Sequence, residues 1–291
     1  MNKLYEETSI QDIANAIREK NGLTDTYTVS EMGNAIREIQ SGGGDIDALI
    51  DGSLTEIESN VTSVRDYAFY RSNNLKSVEL PNVTSIGNFA FSYAKLASAN
   101  IPNATTLGSA IFQFCSNLTT VNMPKITSIT PSMFQSTEIA NANFPLVTSI
   151  GDSAFNSCDK LTNVNFPLVE SIGGSAFYYC IKITTVDFPL VTSIKNGAFN
   201  SCRNLTIANF SKATSVGTTA FSGCSNLNQL IIGTEQTTVC TLSNANALAN
   251  TPIASGTGYI YVPDDLVDSY KTATNWATYA NQIKGISELP T

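Results

Sequence analysis

A unit of 21 or 22 residues recurs through the middle of the chain and constrains its fold more than any other feature. Between residues 143 and 180 the pattern F-P-L-V, A-F and C is stated twice, 22 residues apart. A fixed period of this length is typical of a solenoid, in which each repeat packs only on its neighbours. The phenylalanine of the Ala-Phe element marks eight copies, at Phe69, Phe91, Phe112, Phe134, Phe155, Phe177, Phe199 and Phe221.

The clearest copy, L-x-x-V-x-F-P-x-V-x-x-I-G-x-x-A-F-x-x-C, predicts the structure of one unit. Val164 and Phe166 alternate with Asn163 and Asn165, and this period of two predicts a short strand with one buried face. Pro167 ends the strand because it has no N–H to donate to a ladder. The Ile-Gly pair predicts a bend, and the Ser-Ala-Phe segment has room for one helical or 3-10 turn. We expect a right-handed solenoid with a parallel β-sheet on one face and short helical or 3-10 turns on the other.

The inward side chains of this copy are predicted to be Val164, Phe166, Ile172, Phe177 and Cys180, with their equivalents in other copies. Five of the six cysteines fall at one repeat position, at Cys115, Cys158, Cys180, Cys202 and Cys224. Other copies carry Ser72, Ala94 and Thr137 there, which favours a small buried residue over a disulfide. No C-x-x-C pair supports a metal site, and Cys240 is interpreted as an unpaired thiol.

The Leu-Pro and Ala-Phe-x-x-Cys elements resemble those of the BspA-like (Treponema-type) leucine-rich repeat family, over roughly residues 60 to 232. This chain departs from the general leucine-rich consensus, because an apolar residue replaces the Asn or Cys eight residues after the first Leu. The resemblance implies a leucine-rich repeat solenoid at residues 60–233. It also implies the functions of a family known mainly as adhesins and surface binding proteins.

The two ends differ from the repeats. Residues 1–44 predict two amphipathic helices and a Gly linker, which form a helical attachment module, and residues 45–59 predict an acidic lead-in. The "IANAIR" segment resembles the N-termini of phage and prophage tail-associated proteins of gut bacteria. This resemblance implies attachment to a virion or larger assembly through residues 1–40, with a homo-oligomer through the same helices as another possibility. Residues 234–291 predict a strand-helix cap, in which Trp276 is either core or a ligand platform.

Composition excludes several classes of function. The chain has no histidine, which excludes Ser-His-Asp and Cys-His nucleophilic sites and His-containing zinc sites. The net charge of −8 argues against nucleic acid, whose phosphates require Lys and Arg. No apolar stretch is long enough for a membrane span, and the N-terminus lacks the apolar core of a signal peptide. The sequence therefore predicts a non-enzymatic protein without catalytic residues, cofactor, metal, nucleic acid or membrane insertion.

Two sets of surface residues are candidates for ligand binding. The first is a polar stripe after the middle strand residue of each copy, consisting of Glu79, Asn100, Asn122, Asn143, Asn165, Asp187 and Asn209. The second follows the Ala-Phe element and consists of Tyr70, Tyr93, Tyr178 and Tyr179. The stripe has an alternative interpretation as a hydrogen-bonded ladder that keeps the sheet soluble. The tyrosines have an alternative interpretation as packing between coils.

These observations predict a binding protein that recognises a host cell-surface protein or glycan. With the resemblance of the N-terminus, they favour a phage or prophage tail-associated receptor-binding protein, located on a virion or acting outside the cell. The alternative is a bacterial cell-surface adhesin or protein-interaction scaffold with the same solenoid.

Overall fold

A computed structural model describes residues 56–58 and 61–290, and the chain divides into two compact units, residues 1–125 and 126–291. The predicted helical module at residues 1–44 and most of the lead-in at residues 45–59 lie outside the described residues. The described part of each unit is a parallel β-solenoid built from two columns of short strands.

Within residues 56–58 and 61–125 the first unit has seven strands: β1 (Glu56–Glu58), β2 (Ser63–Val64), β3 (Ser77–Glu79), β4 (Ser85–Ile86), β5 (Ser98–Asn100), β6 (Thr106–Leu107) and β7 (Thr120–Asn122). The three-residue strands form one parallel sheet in the order β1-β3-β5-β7, and the two-residue strands form a second in the order β2-β4-β6. The register is a single repeat step, since Val78 pairs with Ala99 and Ala99 with Val121. Strand β1 lies within the segment predicted as a lead-in.

The second unit contains thirteen strands: β8 (Ser128–Ile129), β9 (Asn141–Asn143), β10 (Ser149–Ile150), β11 (Asn163–Asn165), β12 (Ser171–Ile172), β13 (Thr185–Asp187), β14 (Ser193–Ile194), β15 (Ile207–Phe210), β16 (Ser215–Val216), β17 (Gln229–Ile232), β18 (Thr241–Leu242), β19 (Tyr259–Val262) and β20 (Ile283–Gly285). The two-residue strands form one six-stranded sheet from β8 to β18. The longer strands form a pair, β9-β11, and a five-stranded sheet, β13-β15-β17-β19-β20. Strand pairing therefore continues beyond residue 233 into the predicted cap.

The segment around each Ala-Phe element is not the predicted helical or 3-10 turn. Two residues of each such segment have left-handed backbone, one two residues before the phenylalanine and one two residues after it. Around Phe177 these are Ser175 (φ 53°) and Tyr179 (φ 60°). A left-handed residue ends any right-handed helix, so the segment is a run of linked turns. A two-residue strand also replaces the bend expected at each Ile-Gly pair.

Hydrogen bonds between coils explain this conformation. The N–H groups of Ser175, Phe177 and Tyr179 donate to carbonyls of the next coil over 2.9, 2.8 and 2.8 Å. The residues between them close turns within the coil, as in the bond from Tyr178 N–H to the Ser175 carbonyl (3.1 Å). Alternate N–H groups thus point along the stack, which a 3-10 helix does not permit. The sequence prediction missed this because it considered one unit without its neighbours.

The core of each unit is a stack of phenylalanine rings. Phe177 is fully buried, and its ring stacks on those of Phe155 (5.3 Å) and Phe199 (5.2 Å). The predicted inward positions are confirmed for Phe166, Ile172, Phe177 and Cys180, which are all buried. Val164 is only half-buried.

The repeat cysteines line this core. All six cysteines are free and buried, and the Cys180 thiol donates to the Phe155 carbonyl over 3.0 Å. Cys158 and Cys202 make the same bond one repeat earlier and later. Burial raises the pKa of the Cys115 thiol to about 12 and that of Cys158 to about 11. The cysteines are therefore small buried residues of the core, as predicted. They also donate to backbone carbonyls, which was not predicted, and their thiols are poor nucleophiles.

We expect the thiols to react slowly in the folded protein. At pH 8 a thiol reagent should modify fewer than one cysteine per chain in the time in which it modifies all six in denaturant. Mass spectrometry of labelled peptides measures this modification, and fast labelling of Cys158, Cys180 or Cys202 would contradict the prediction.

The raised pKa values of the buried thiols also affect stability. The unfolded state ionises its thiols at lower pH than the folded state, so the free energy of unfolding should fall as pH rises above 9.

The C-terminal segment covers the last coil. It contains helix α1 (Val267–Thr272) and the 3-10 segments Ala245–Leu248, Asp264–Leu266, Trp276–Gln282 and Ile286–Glu288. Trp276 is buried against Tyr270 (5.4 Å between ring centroids), and its Nε1 donates to the Cys240 carbonyl over 2.6 Å. Trp276 is thus core, which excludes its alternative interpretation as a ligand platform.

Candidate functional site

The polar stripe of the first unit forms a hydrogen-bonded ladder on strands β3, β5 and β7. Asn100 Nδ2 donates to Glu79 Oε2 over 2.6 Å, and Asn122 Nδ2 donates to Asn100 Oδ1 over 2.7 Å. Glu79 and Asn122 are exposed, and Asn100 is half-exposed. These three residues are called the first amide ladder.

The second unit carries the same arrangement. Asn165 Nδ2 donates to Asn143 Oδ1 over 2.7 Å, and Asn163 Nδ2 donates to Asn141 Oδ1 over the same distance. The four asparagines are all exposed and make up the second amide ladder. On strands β13 and β15 a further bond of 2.8 Å joins Asn209 Nδ2 to Asp187 Oδ1.

Each ladder leaves hydrogen-bonding capacity for a ligand. An asparagine amide has two N–H donors and two acceptor lone pairs. Asn100 uses one donor toward Glu79 and one lone pair toward Asn122, so one of each remains. Bonded strands lie about 4.8 Å apart, so the remaining groups repeat at that interval. Because their bonds already fix the side chains, a ligand orders them at little entropic cost.

The predicted tyrosines lie in two places. In the first unit, the Tyr70 and Tyr93 rings meet edge to face (5.7 Å), and Tyr93 stacks on Phe114 (4.7 Å). The Arg71 guanidinium carbon lies over both tyrosines, 5.3 Å from the Tyr70 centroid and 5.2 Å from the Tyr93 centroid. Tyr93 is 38% exposed. Tyr93, Arg71 and Phe114 are called the Tyr93 cluster.

In the second unit, Tyr178 and Tyr179 lie 6.3 Å apart, and the Arg203 guanidinium carbon lies 5.3 Å from the Tyr179 centroid. Tyr178 and Arg203 are exposed, and Tyr179 is half-exposed. Packing between coils and solvent exposure therefore coexist at these residues. The structure thus keeps both interpretations of the tyrosines, as packing and as binding surface.

Sequence reasoning missed the two arginines and the residue before each Ala-Phe element. Tyr67 stacks on Phe89 (5.0 Å), and both have left-handed backbone. The sequence does carry a signal for this position, which lies two residues before each Ala-Phe phenylalanine. Tyr67 and Phe89 occupy it in the first unit, whereas the second unit has Ser132, Ser153, Ser175, Gly197 and Thr219 there. Glycine is the usual occupant of a left-handed position, followed by Asn and Asp, and bulky rings there are unusual.

A groove along the second unit was also missed. It has a volume of about 960 Å³ and follows the two-residue strands, including Ser149, Ser171 and Ser193 and the glycines Gly151 and Gly173. Its signal in the sequence is the Ser-Ile-Gly element, which we interpreted only as a bend. A hydrogen bond from Ser215 Oγ to Ser193 Oγ (2.9 Å) lies along it.

The family described as "BspA type Leucine rich repeat region (6 copies)" matches this chain at residues 52–160 and 146–254. The matched residues make up more than half of the chain. The chain belongs to the BspA-type leucine-rich repeat family. The structure agrees with this family assignment, because most strands of the two solenoid columns described above lie within the matched residues.

Solved structures that are similar to this BspA-type chain include the following three. A leucine-rich repeat protein of T. pallidum is 28% identical with a TM-score of 0.42, covering 57% of this chain and 72% of that one. A leucine-rich cell surface protein of Faecalibacterium prausnitzii is 19% identical with a TM-score of 0.39 (79% and 82% covered). The pneumococcal vaccine antigen PcpA is 14% identical with a TM-score of 0.37 (78% of each covered). None of the curated proteins matches this chain.

Two further features, a metal site and a membrane-spanning helix, were considered for the described part of this BspA-type chain. Among residues 56–58 and 61–290, no three His, Cys, Asp or Glu side chains group as metal ligands would. No helix in the same residues is long and apolar enough to cross a membrane.

Proposed function

We propose that this chain is a non-enzymatic binding protein that recognises a host cell-surface protein or glycan through its amide ladders. Leucine-rich repeat proteins serve as binding and cell-surface interaction proteins, and repeat solenoids offer extended surfaces for that purpose. The observation that carries the proposal is the ordered row of unused amide donors and acceptors in each ladder. Such a row suits a partner whose hydroxyls or backbone amides also repeat along its length.

An enzymatic role has no support from the available nucleophiles. The repeat thiols are buried, and burial raises the pKa of Cys180 and Cys202 well above its usual value. The chain has no histidine to act as a base for a hydroxyl nucleophile. The ladder asparagines do not titrate, so they are suited to recognition and unsuited to proton transfer.

Two biological settings fit this binding function. In the first, the chain is a phage or prophage tail-associated protein that residues 1–40 attach to a virion. In the second, it is a bacterial cell-surface adhesin or interaction scaffold. The resemblance of the N-terminal segment favours the first, and the family as a whole fits the second equally well.

The double variant Asn143→Lys/Asn165→Lys should bind candidate host cells at least about tenfold more weakly, because two charges replace ladder amides that a ligand would contact. Its melting temperature should change little, since both residues are exposed. Flow cytometry with labelled protein and thermal unfolding measure the two effects. The control is Lys125→Ala on an exposed residue outside the ladders.

Unchanged cell binding by the double variant would overturn the role of the second ladder. Absence of binding by the unaltered protein, on cells and on a glycan array alike, would overturn the binding function. Fractionation of the producing culture separates the two settings. The tail-associated form sediments with virus particles after induction, whereas the adhesin form stays with the cell envelope.

A further inference from the structure

The Tyr93 cluster combines exposure, conformational cost and an arginine without an acidic partner. Arg71, Tyr93 and Phe114 occupy the same left-handed position of three successive coils, with φ of 56°, 61° and 58°. That conformation costs a non-glycine residue about 1–2 kcal/mol. The second unit mostly fills this position with small residues, at Ser136, Ser157, Ser201 and Gly223. The serines have the same left-handed backbone, so the first unit differs in the size of these side chains, of which Tyr93 is exposed and Arg71 and Phe114 are half-exposed.

The charge of the arginine is the second observation. Within the described residues, neither Arg71 nor Arg203 has a carboxylate partner or a side-chain hydrogen-bond acceptor. Lys160, Lys212 and Lys284, by contrast, pair with carboxylates. The carboxylate of Asp66, near Arg71 in sequence, accepts from the backbone N–H of Asn88 at 2.6 Å. In a chain of net charge −8, two guanidinium groups are thus held over tyrosine rings and remain available to an external anion.

The pairing occurs twice, from two different repeat positions. Arg71 lies two residues after its Ala-Phe phenylalanine and contacts the tyrosine of the following coil. Arg203 lies four residues after its phenylalanine and contacts Tyr179 of the preceding coil. Residues 61–290 contain only three arginines, and two of them stack in this way. Simple repetition of one unit therefore does not explain the arrangement.

The ring contacts favour a protein partner over a sugar. Tyr93 lies between Arg71 of the preceding coil and Phe114 of the following coil, so protein groups already contact its ring faces. A sugar ring would need a free aromatic face for stacking. The exposed part of Tyr93 is then its edge and hydroxyl, which suit protein contacts. Tyrosine and arginine are also the residues most enriched at the energetic centres of protein interfaces.

We propose that the Tyr93 cluster is a docking surface for a protein partner that presents an acidic peptide segment. An Asp or Glu carboxylate of the partner pairs with the planar Arg71 guanidinium, and the partner's neighbouring residues pack on the Tyr93 edge. The Arg203–Tyr179 pair of the second unit has the same chemistry and is a separate surface of the same kind. This inference rests on the proposed binding function and specifies the class of partner.

Fluorescence polarisation with the full chain tests it, using a labelled Glu-Ala repeat peptide as probe. The Glu-Ala peptide should bind, and a matched Gln-Ala peptide should not. Arg71→Ala should weaken binding at least about tenfold, as expected for a lost hydrogen bond to a charged group. Arg71→Lys should give an intermediate loss because it keeps the charge and loses the planar fork. Lys76→Ala, which removes an exposed charge from the same coil without touching a ring, is the control and should bind normally.

Three results would overturn the inference. They are equal losses in Arg71→Ala and Lys76→Ala, no binding of the Glu-Ala peptide, and Arg71-dependent binding of oligogalacturonate in place of the peptide. Thermal unfolding of each variant verifies that it is folded. Cell binding distinguishes this inference from the proposed function, because a chain that binds cells regardless of Arg71 keeps the function and loses this site.

Discussion

Replacing Gly173 with alanine should lower the free energy of unfolding by about 3 kcal/mol or more, because a new methyl group would overlap backbone atoms that cannot move away. A Cβ at this position would lie 2.5 Å from Asp152 N and 2.5 Å from the Gly151 carbonyl carbon. The coils are held at this distance by the bond from Gly173 N–H to the Ile150 carbonyl (2.8 Å). Relief of the overlap would require the coils to separate. Denaturant unfolding followed by circular dichroism measures the loss.

The adjacent glycine supplies a matched control. A Cβ at Gly174 would lie 3.5 Å from the Asn196 carbonyl oxygen, which is ordinary contact. Gly174→Ala should therefore change the free energy of unfolding by no more than about 0.5 kcal/mol. Equal destabilisation by the two substitutions would show that the close approach of the coils at Gly173 is not what selects glycine there.

Phe177→Ala should destabilise the protein by about 3–5 kcal/mol, the usual cost of truncating a buried phenylalanine. Phe177 is 0% exposed and contacts the rings of Phe155, Phe188 and Phe199. Its loss leaves a cavity that stacked coils cannot close, because the bonds between their backbones fix their spacing. The measurement is the midpoint of chemical denaturation with an unchanged slope.

Leu168→Ala is the control for this truncation. Leu168 is in the same repeat and is 45% exposed, so its truncation removes less buried surface and leaves no enclosed cavity. We expect a change of no more than about 0.5 kcal/mol. A Phe177→Ala loss as small as that of Leu168→Ala would contradict the continuous ring stack.

The sequence predicted the repeat and its buried side more reliably than the path of the chain. The alternation around Phe166 and the period of the phenylalanines located strands and core, because burial depends on side-chain pattern. The two-residue strands such as Ser171–Ile172 were missed, since two residues are too few to show any period. The left-handed residues, such as Tyr179 (φ 60°), were missed because bulky side chains rarely occupy that conformation. Only contacts with the neighbouring coils impose it.

The candidate binding surfaces were also predicted only in part. The columns of asparagines followed from the strand pattern, and their hydrogen bonds from Asn122 to Asn100 and from Asn165 to Asn143 follow from the one-repeat register. Arg71 and Arg203 could not be assigned, because they occupy different positions of the unit and meet tyrosines of different coils. A column-by-column comparison of the copies would have revealed the change from serine to aromatic residues, but not the arginine contacts.

The way in which the last coil ends bears on whether molecules can join into fibres. An open parallel edge presents carbonyl groups that can capture a strand of another molecule. Here the carbonyls of Cys240, Leu242 and Ala245 accept hydrogen bonds from the side chains of Trp276, Asn275 and Tyr279. A foreign strand would have to displace three side chains, two of them aromatic and buried, before it gained its first bond at this edge. The cap thus covers this edge of the two-residue strands with its own side chains and protects it against polymerisation at high local concentration.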